Sequence, residues 1–130
     1  MLRRMKNLIK IELSELPPTV NHLYRNSARG IRYKTKAGRA WQNDTAAILK
    51  TAWGKRAPYG GLVTLDILFQ TKDRRHWDID NRVKALQDCL QMAGVLGDDA
   101  QVEELHVKRR RGAKQTMTVI QVREWENAEG

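Results

Sequence analysis

Residues 62–99 read LVTLDILFQTKDRRHWDIDNRVKALQDCLQMAGVLGDD, and several textures succeed one another within them. Residues 62–70 alternate, with Val63, Leu65, Ile67 and Phe69 on one side and Leu62, Thr64, Asp66 and Leu68 on the other. That is the period of a strand. Residues 72–77 are a charged loop. Over 80–93 the apolar residues Val83, Leu86, Leu90 and Ala93 recur at helical spacing, and Gly94 stands where a helix closes in a left-handed conformation. Gly97-Asp98-Asp99 then makes a turn.

Working outward, residues 8–13 read as a strand that Leu16-Pro17-Pro18 ends, because proline has no N–H for a ladder and restricts its predecessor. Residues 19–35 are polar and basic and are expected to form a loop of about 17 residues, a length that is often functional. A helix is expected over 36–53, capped by Thr35. Trp41, Thr45, Ile48 and Ala52 would face the core, and Arg39, Gln42, Asn43 and Lys50 the solvent. Pro58-Tyr59-Gly60-Gly61 is a turn. The end of the chain reads as a hairpin, 102–110 and 116–123 about a turn at Gly112-Ala113-Lys114. The order β-α-β-α-β-β implies an α+β fold, a small mixed β-sheet covered by two helices. One domain is expected over 1–130, with 1–7 and 125–130 frayed.

The chain has 130 residues, of which 41% are hydrophobic and 30% charged, so neither wholesale disorder nor a multidomain protein is expected. A single cysteine excludes an internal disulfide framework and a Cys-rich zinc site. No apolar run reaches the roughly 18–20 residues of a membrane span, and 1–13 lack a signal-peptide cleavage pattern. A cytoplasmic protein with no membrane partner is expected. The net charge of +9 is unevenly spread: residues 1–60 carry +10, 61–99 carry −2 and 100–130 carry +1. A basic half is the electrostatic footprint of a nucleic-acid binder, though a merely solvated surface fits it as well.

Chemistry concentrates in Asp78-x-Asp80-Asn81-x-x-Lys84, with Asp98-Asp99 about one helix later. In an extended junction residues two apart project to one side, so Asp78 and Asp80 can converge. On the helix, Lys84 and Asp88 follow at four-residue intervals. The turn after the helix can return Asp98 or Asp99 toward Asp78. Carboxylates about 5 Å apart repel by roughly 3 kcal/mol at an effective dielectric near 20, so a cluster of them persists by holding protons or hard cations. Mg²⁺ on carboxylates suits phosphodiester hydrolysis, and a neighbouring lysine stabilises the charge that builds on the phosphate. The bland alternative uses the same residues: Asp80 as a helix cap, Lys84 and Asp88 as an i,i+4 pair, Asp98-Asp99 as turn residues.

The run Asp73-Arg74-Arg75-His76-Trp77-Asp78-Ile79-Asp80-Asn81-x-x-Lys84 resembles the signature of the RusA family of Holliday-junction resolvases. Ala93-Gly94-Val95-Leu96-Gly97-Asp98-Asp99-Ala100-Gln101-Val102 resembles a second motif of that family, and Pro17-Pro18-x-x-Asn21-x-x-Tyr24-Arg25 its N-terminal one. The resemblance spans about 8–124 and implies a bacterial or phage-encoded protein. It implies a homodimeric, Mg²⁺-dependent endonuclease that cuts four-way DNA junctions by paired nicks, with Mn²⁺ as a substitute ion. It places catalytic carboxylates at Asp78, Asp80 and Asp99 and an essential lysine at Lys84. Asp98, beside Asp99, is a further metal ligand to consider. Arg25, Arg29, Arg32, Lys34, Lys36, Arg74 and Arg75 are the residues expected to meet DNA. His76-Trp77 depart from the family's arginine run before Asp78, which weakens the expectation of phosphate contact by that loop.

Other residues carry less. His22, His76, His106 and Cys89 lack a metal-ligand spacing, and Cys89 is expected to be a buried thiol. Trp41, Trp53 and Phe69 are expected in the core. Trp77 and Tyr24 lie among basic residues, where an aromatic ring either packs locally or stacks on a base. Arg109-Arg110-Arg111 either solvates a strand end or contacts phosphate. Two rival functions remain at this level: a non-catalytic basic DNA- or RNA-binding module, and a nuclease of the same fold acting on other branched DNA.

Overall fold

A computed structural model describes residues 6–126. Among the described residues six strands and three helices follow one another: β1 (Asn7–Leu13), α1 (Val20–Leu23), β2 (Tyr24–Asn26), β3 (Arg32–Lys34), α2 (Lys36–Trp53), β4 (Val63–Gln70), α3 (Val83–Met92), β5 (Val102–Arg110) and β6 (Met117–Glu124). Single 3-10 turns precede α3 (Asp80–Arg82) and β5 (Asp99–Gln101). The main sheet has the order β1-β6-β4-β5, and β2 and β3 form a separate hairpin. The fold is α+β with a mixed sheet. Among the described residues no helix is long and apolar enough to cross a membrane.

The main sheet is mixed because β4 pairs antiparallel with β6 and parallel with β5. The expected terminal hairpin is therefore corrected: β5 and β6 are joined in sequence but β4 lies between them. Their burial gives the reason. Thr118, Ile120 and Val122 of β6 are buried, whereas β5 is exposed along most of its length and carries Glu103, Glu104, His106, Lys108, Arg109 and Arg110. Such a strand suits an edge, where charge discourages further pairing, and β6 suits the interior. Residues 111–116 cross the end of β4, a gap of roughly 10 Å at two strand spacings.

One face of this sheet packs under α2 and α3. Val63, Leu65, Ile67 and Phe69 of β4 are buried there, as the alternation requires, with Leu49 and Trp53 from α2 and Val83, Leu86 and Leu90 from α3. The helix over 36–53 forms with Thr35 as its cap, the hydroxyl accepting from the Gly38 N–H at 2.9 Å. Its buried face is turned by one residue from the expected one: Gly38, Gln42, Thr45, Ala46, Leu49 and Trp53 point inward, while Ile48 and Ala52 are exposed. Gln42 goes inward because partners wait for it. Its amide reaches the Ala85 carbonyl and Asp88, both at 3.4 Å. Gly38 is where α2 meets Leu23, whose Cδ1 would lie 2.9 Å from a Cβ at that position.

The segment 19–35 is not the irregular loop expected. Thr19 caps the single turn of α1, Leu23 is fully buried, and β2 and β3 pair around a tight turn in which Gly30 has φ +76°. A long polar segment needs internal hydrogen bonds to hold a shape, and the Ser27 hydroxyl and carbonyl supply several at this turn. The ends are tied as well. The Glu124 N–H donates to the Lys6 carbonyl and the Trp125 N–H to the Leu62 carbonyl, so backbone hydrogen bonds reach residues 6 and 125. The remaining expectation of fraying concerns 1–5 and 127–130, which lie outside the described residues.

Two outcomes follow from this core. Leu90→Ala lowers the unfolding free energy by about 2–5 kcal/mol in urea titration, the usual cost of a buried leucine truncation. Burial, and after it the Asp88 carboxylate, pushes the Cys89 thiol up to about 12. The folded value lies above the unfolded one, so this contribution to stability is intact below about pH 9 and is lost as the pH rises toward 12. Thiol-reactive dye should label the native protein only after urea is added. Rapid labelling without urea would contradict the buried placement.

Candidate active site

The acidic segment lies in the connection between the parallel strands β4 and β5. Asp78 belongs to the loop after β4, Asp80 opens the 3-10 turn before α3, and Lys84 stands in the first turn of α3. Asp78 and Asp80 are exposed. Neither carboxylate has a hydrogen bond or ion pair to another described residue. Both therefore keep the oxygen lone pairs that a hard divalent cation takes.

Asp98 and Asp99 separate in role. Asp98 caps the 3-10 turn before β5, its Oδ1 accepting from the Ala100 N–H at 2.9 Å. Gln101 completes that cap and ties it to the Tyr59 and Gly61 carbonyls at 2.6 and 2.9 Å. Asp99 instead returns to α3, where its Oδ2 lies 3.6 Å from Lys84 Nζ and its Oδ1 accepts from the Gln91 amide. Among the described residues no three His, Cys, Asp or Glu side chains gather closely enough to hold a metal ion. Asp78 and Asp80 stand before α3 in the chain, and Asp98 and Asp99 after it. The donor chemistry fits Mg²⁺, all carboxylate oxygen, but these residues do not form a closed cage.

Lys84 is the node of the site. Its ammonium sits 3.1 Å from Asp88 Oδ1 as well as 3.6 Å from Asp99, with half of the side chain exposed. The hydrogen bond to Asp88 raises its pKa above the ordinary lysine value, against partial burial and with help from the charge of Asp99. Asp88 is itself held on its other oxygen by the Tyr24 hydroxyl at 3.3 Å and by the Gln42 amide at 3.4 Å. Burial, and next the Asp88 charge, push the Tyr24 hydroxyl up. Asp88, Gln42 and Gln91 were not singled out as site residues by the sequence, although the four-residue step from Lys84 to Asp88 was a usable signal.

The basic residues fall in several places. Arg25 and Arg32 line an open cavity with Tyr24, and the Arg32 guanidinium stacks 4.0 Å from the centre of the Tyr24 ring. This ring packs locally and donates to Asp88. Arg29 is exposed in the hairpin turn, and Lys34 and Lys36 share a shallow cavity with Arg39, which was not among the expected contacts. Arg75 is engaged by Asp73, whose carboxyl is held below its usual range by the Arg75 N–H and then by the guanidinium. Arg74 is exposed beside the end of β5. Trp77 packs edge-on against Phe69 with ring centres 5.6 Å apart, between Arg82 and Arg109. It is a half-buried prop of the loop.

Asp88→Asn should lower the pKa of both Lys84 and Tyr24, Tyr24 remaining above its ordinary value because burial persists. NMR titration of the lysine ε-carbon and the tyrosine ring reads both. Two unchanged titrations would rule out Asp88 as the anchor of the network.

The sequence profile of the family described as Endodeoxyribonuclease RusA matches residues 15–123. The crossover junction endodeoxyribonuclease RusA of Escherichia coli (strain K12) is 33% identical over 112 residues, covering 82% of this chain and 89% of that protein. The protein of the same name from Enterobacteria phage 82 is 32% identical over 111 residues, with the same shares covered. That of Aquifex aeolicus (strain VF5) is 25% identical over 124 residues, 92% of this chain and 94% of that protein. The match to the profile runs from before Pro17 to the end of β6 and so takes in the acidic connection, its lysine and the strands on either side: the chain belongs to the RusA family of endodeoxyribonucleases.

Proposed function

We propose that the protein is a divalent-metal-dependent crossover junction endodeoxyribonuclease that resolves four-way DNA junctions by paired nicks, working as a homodimer. The observation that carries this reading is the Lys84 ammonium held between Asp88 and Asp99, next along the chain to the unpartnered carboxylates of Asp78 and Asp80. Family membership supplies the reaction class. The arrangement around Lys84 supports the roles given to the residues below.

Hydrolysis of a phosphodiester adds a water oxygen to phosphorus and expels a sugar oxygen, through a state with extra negative charge on the phosphoryl oxygens. Lys84 is charged at neutral pH, and its raised pKa keeps it so well into the alkaline range. It therefore offers fixed positive charge where that negative charge develops. Asp78, Asp80 and Asp99, although they are not gathered into one cage in this structure, are the carboxylates that would hold Mg²⁺, or Mn²⁺ in its place. The ion supplies Lewis acidity toward the phosphate oxygens and offsets the repulsion between these acids and DNA. Asp98, occupied as a cap, is the weaker candidate of the adjacent pair. Arg25, Arg29, Arg32, Lys34 and Lys36, on the β2–β3 hairpin and the start of α2, would bind backbone phosphates. A four-way junction has two-fold symmetry, so two copies related by the same symmetry present equivalent sites to equivalent strands.

A cleavage assay on a synthetic mobile four-way junction in Mg²⁺, with linear duplex as control, tests the reading. Wild type should make symmetric paired nicks in the junction alone, Asp80→Asn should abolish them, and Lys84→Ala should lower kcat by about 10²–10³ while junction binding persists. Tight binding without cleavage in Mg²⁺ or Mn²⁺ would instead favour a binding module. Cleavage of flaps or forks in preference to junctions would reassign the substrate.

A further inference from the structure

Arg74, Arg109, Arg110 and Arg111 line one open cavity at the end of β5. The parallel register brings them together. Gln70, the last residue of β4, lies opposite Arg110, so the loop after β4 and the turn after β5 leave the sheet side by side. Backbone bonds join the two segments: the Thr71 N–H donates to the Arg110 carbonyl at 2.9 Å, and the Gly112 N–H to Asp73 at 3.1 Å. Side chains tie them further. Arg111 Nη1 donates to the Arg74 carbonyl at 3.1 Å, and Arg109 Nη1 to the Trp77 carbonyl. Gly112, at φ +70°, lets Arg74 lie against the turn, since a Cβ there would sit 3.1 Å from Arg74 Nε.

None of the four guanidiniums forms an ion pair with a described residue. The acid nearest in sequence, Asp73, is taken by Arg75 at 3.2 Å. Four like charges around one opening repel, and here the fold holds two of them, Arg109 and Arg111, through backbone carbonyls, while none of the four is offset by an ion pair to a described carboxylate. Guanidinium forks match phosphate oxygens in shape and charge, and a wall made of donors alone suits a phosphodiester backbone better than base edges. The loop that carries Arg74 runs on directly to Asp78 and Asp80.

We propose that Arg74, Arg109, Arg110 and Arg111 form a phosphate-binding pad, distinct from the β2–β3 hairpin, that takes the backbone of a DNA arm leaving the cleavage site. This rests on the nuclease reading for the identity of its ligand. Its recognition is independent of base sequence.

Fluorescence anisotropy with a labelled four-way junction and a labelled linear duplex, over a salt series with Ca²⁺ replacing Mg²⁺, tests the pad. In Arg110→Gln/Arg111→Gln the Kd for both DNAs should rise about tenfold. The slope of log K against log salt should shrink by about 1–2, because each lost phosphate contact removes roughly 0.9. Arg110→Lys/Arg111→Lys should keep most of the slope, and junctions of different sequence should lose affinity equally. Arg111 also braces the loop, so if the double variant fails to fold, Arg110→Gln alone decides, with an expected slope change of about 1. Unchanged Kd and slope on both DNAs would overturn the pad and leave the nuclease reading intact. A wild type that binds duplex without preferring junctions here, and does not cut them in the Mg²⁺ cleavage assay, would defeat the nuclease reading, while the duplex arm would still judge the pad.

Discussion

The parallel pairing of β4 with β5 is the constraint on which the rest depends. Antiparallel neighbours can be joined by two residues, but parallel ones need a crossover long enough to carry the chain back to the same end. Here residues 71–101 make that return, and α3 is their rigid part. Asp78, Asp80, Lys84, Asp98 and Asp99 all lie within it. The candidate site residues are thus mounted on the connection that the sheet topology requires, and the buried face of α3 (Val83, Leu86, Leu90) packs in one core with β4 and α2.

The same pairing distributes the charge. At its finishing end the loop after β4 meets the arginines of β5; at its starting end Asp98 and Asp99 lead into β5, and Asp99 turns back to α3. Lys84 bridges along the helix because its side chain is long and flexible, while Asp88, Tyr24 and Gln42 limit where its ammonium goes. Tyr24 also joins the basic β2–β3 hairpin to this network. Each carboxylate that contacts Lys84 is offset locally. Asp78 and Asp80, which are not, remain available to a cation.

Legibility in the sequence followed the range of the interaction. Local periodicity marked α2, β4 and α3 to within a few residues, and Gly94 ends α3 as its φ of +74° requires. Thr35 was readable as a cap because capping is a contact over three residues. The phase of α2 was not readable, because Gln42 is buried by partners on α3, more than forty residues away in sequence. The β5–β6 hairpin was misread for the same reason. A glycine turn between two strands permits direct pairing, and what prevents it is the greater burial that β4 gains between them. The order within 19–35 was missed because it depends on Ser27, Gly30 and Leu23 acting on a segment with no hydrophobic period.

By itself the sequence determined which residues could form a site: three separated motifs, an excess of positive charge in the first half, and the ordered acids and lysine of 78–84 and 98–99. These are facts of residue type and spacing along the chain, and no fold alters them. Only the tertiary structure decided that Asp99 rather than Asp98 meets Lys84, that Asp88 holds that lysine in place, and that Arg109–Arg111 stand beside Arg74 instead of at the tip of a hairpin. Each of these depends on strand order and register. They are chosen by the summed burial of the whole sheet, a quantity that no local stretch of the chain contains.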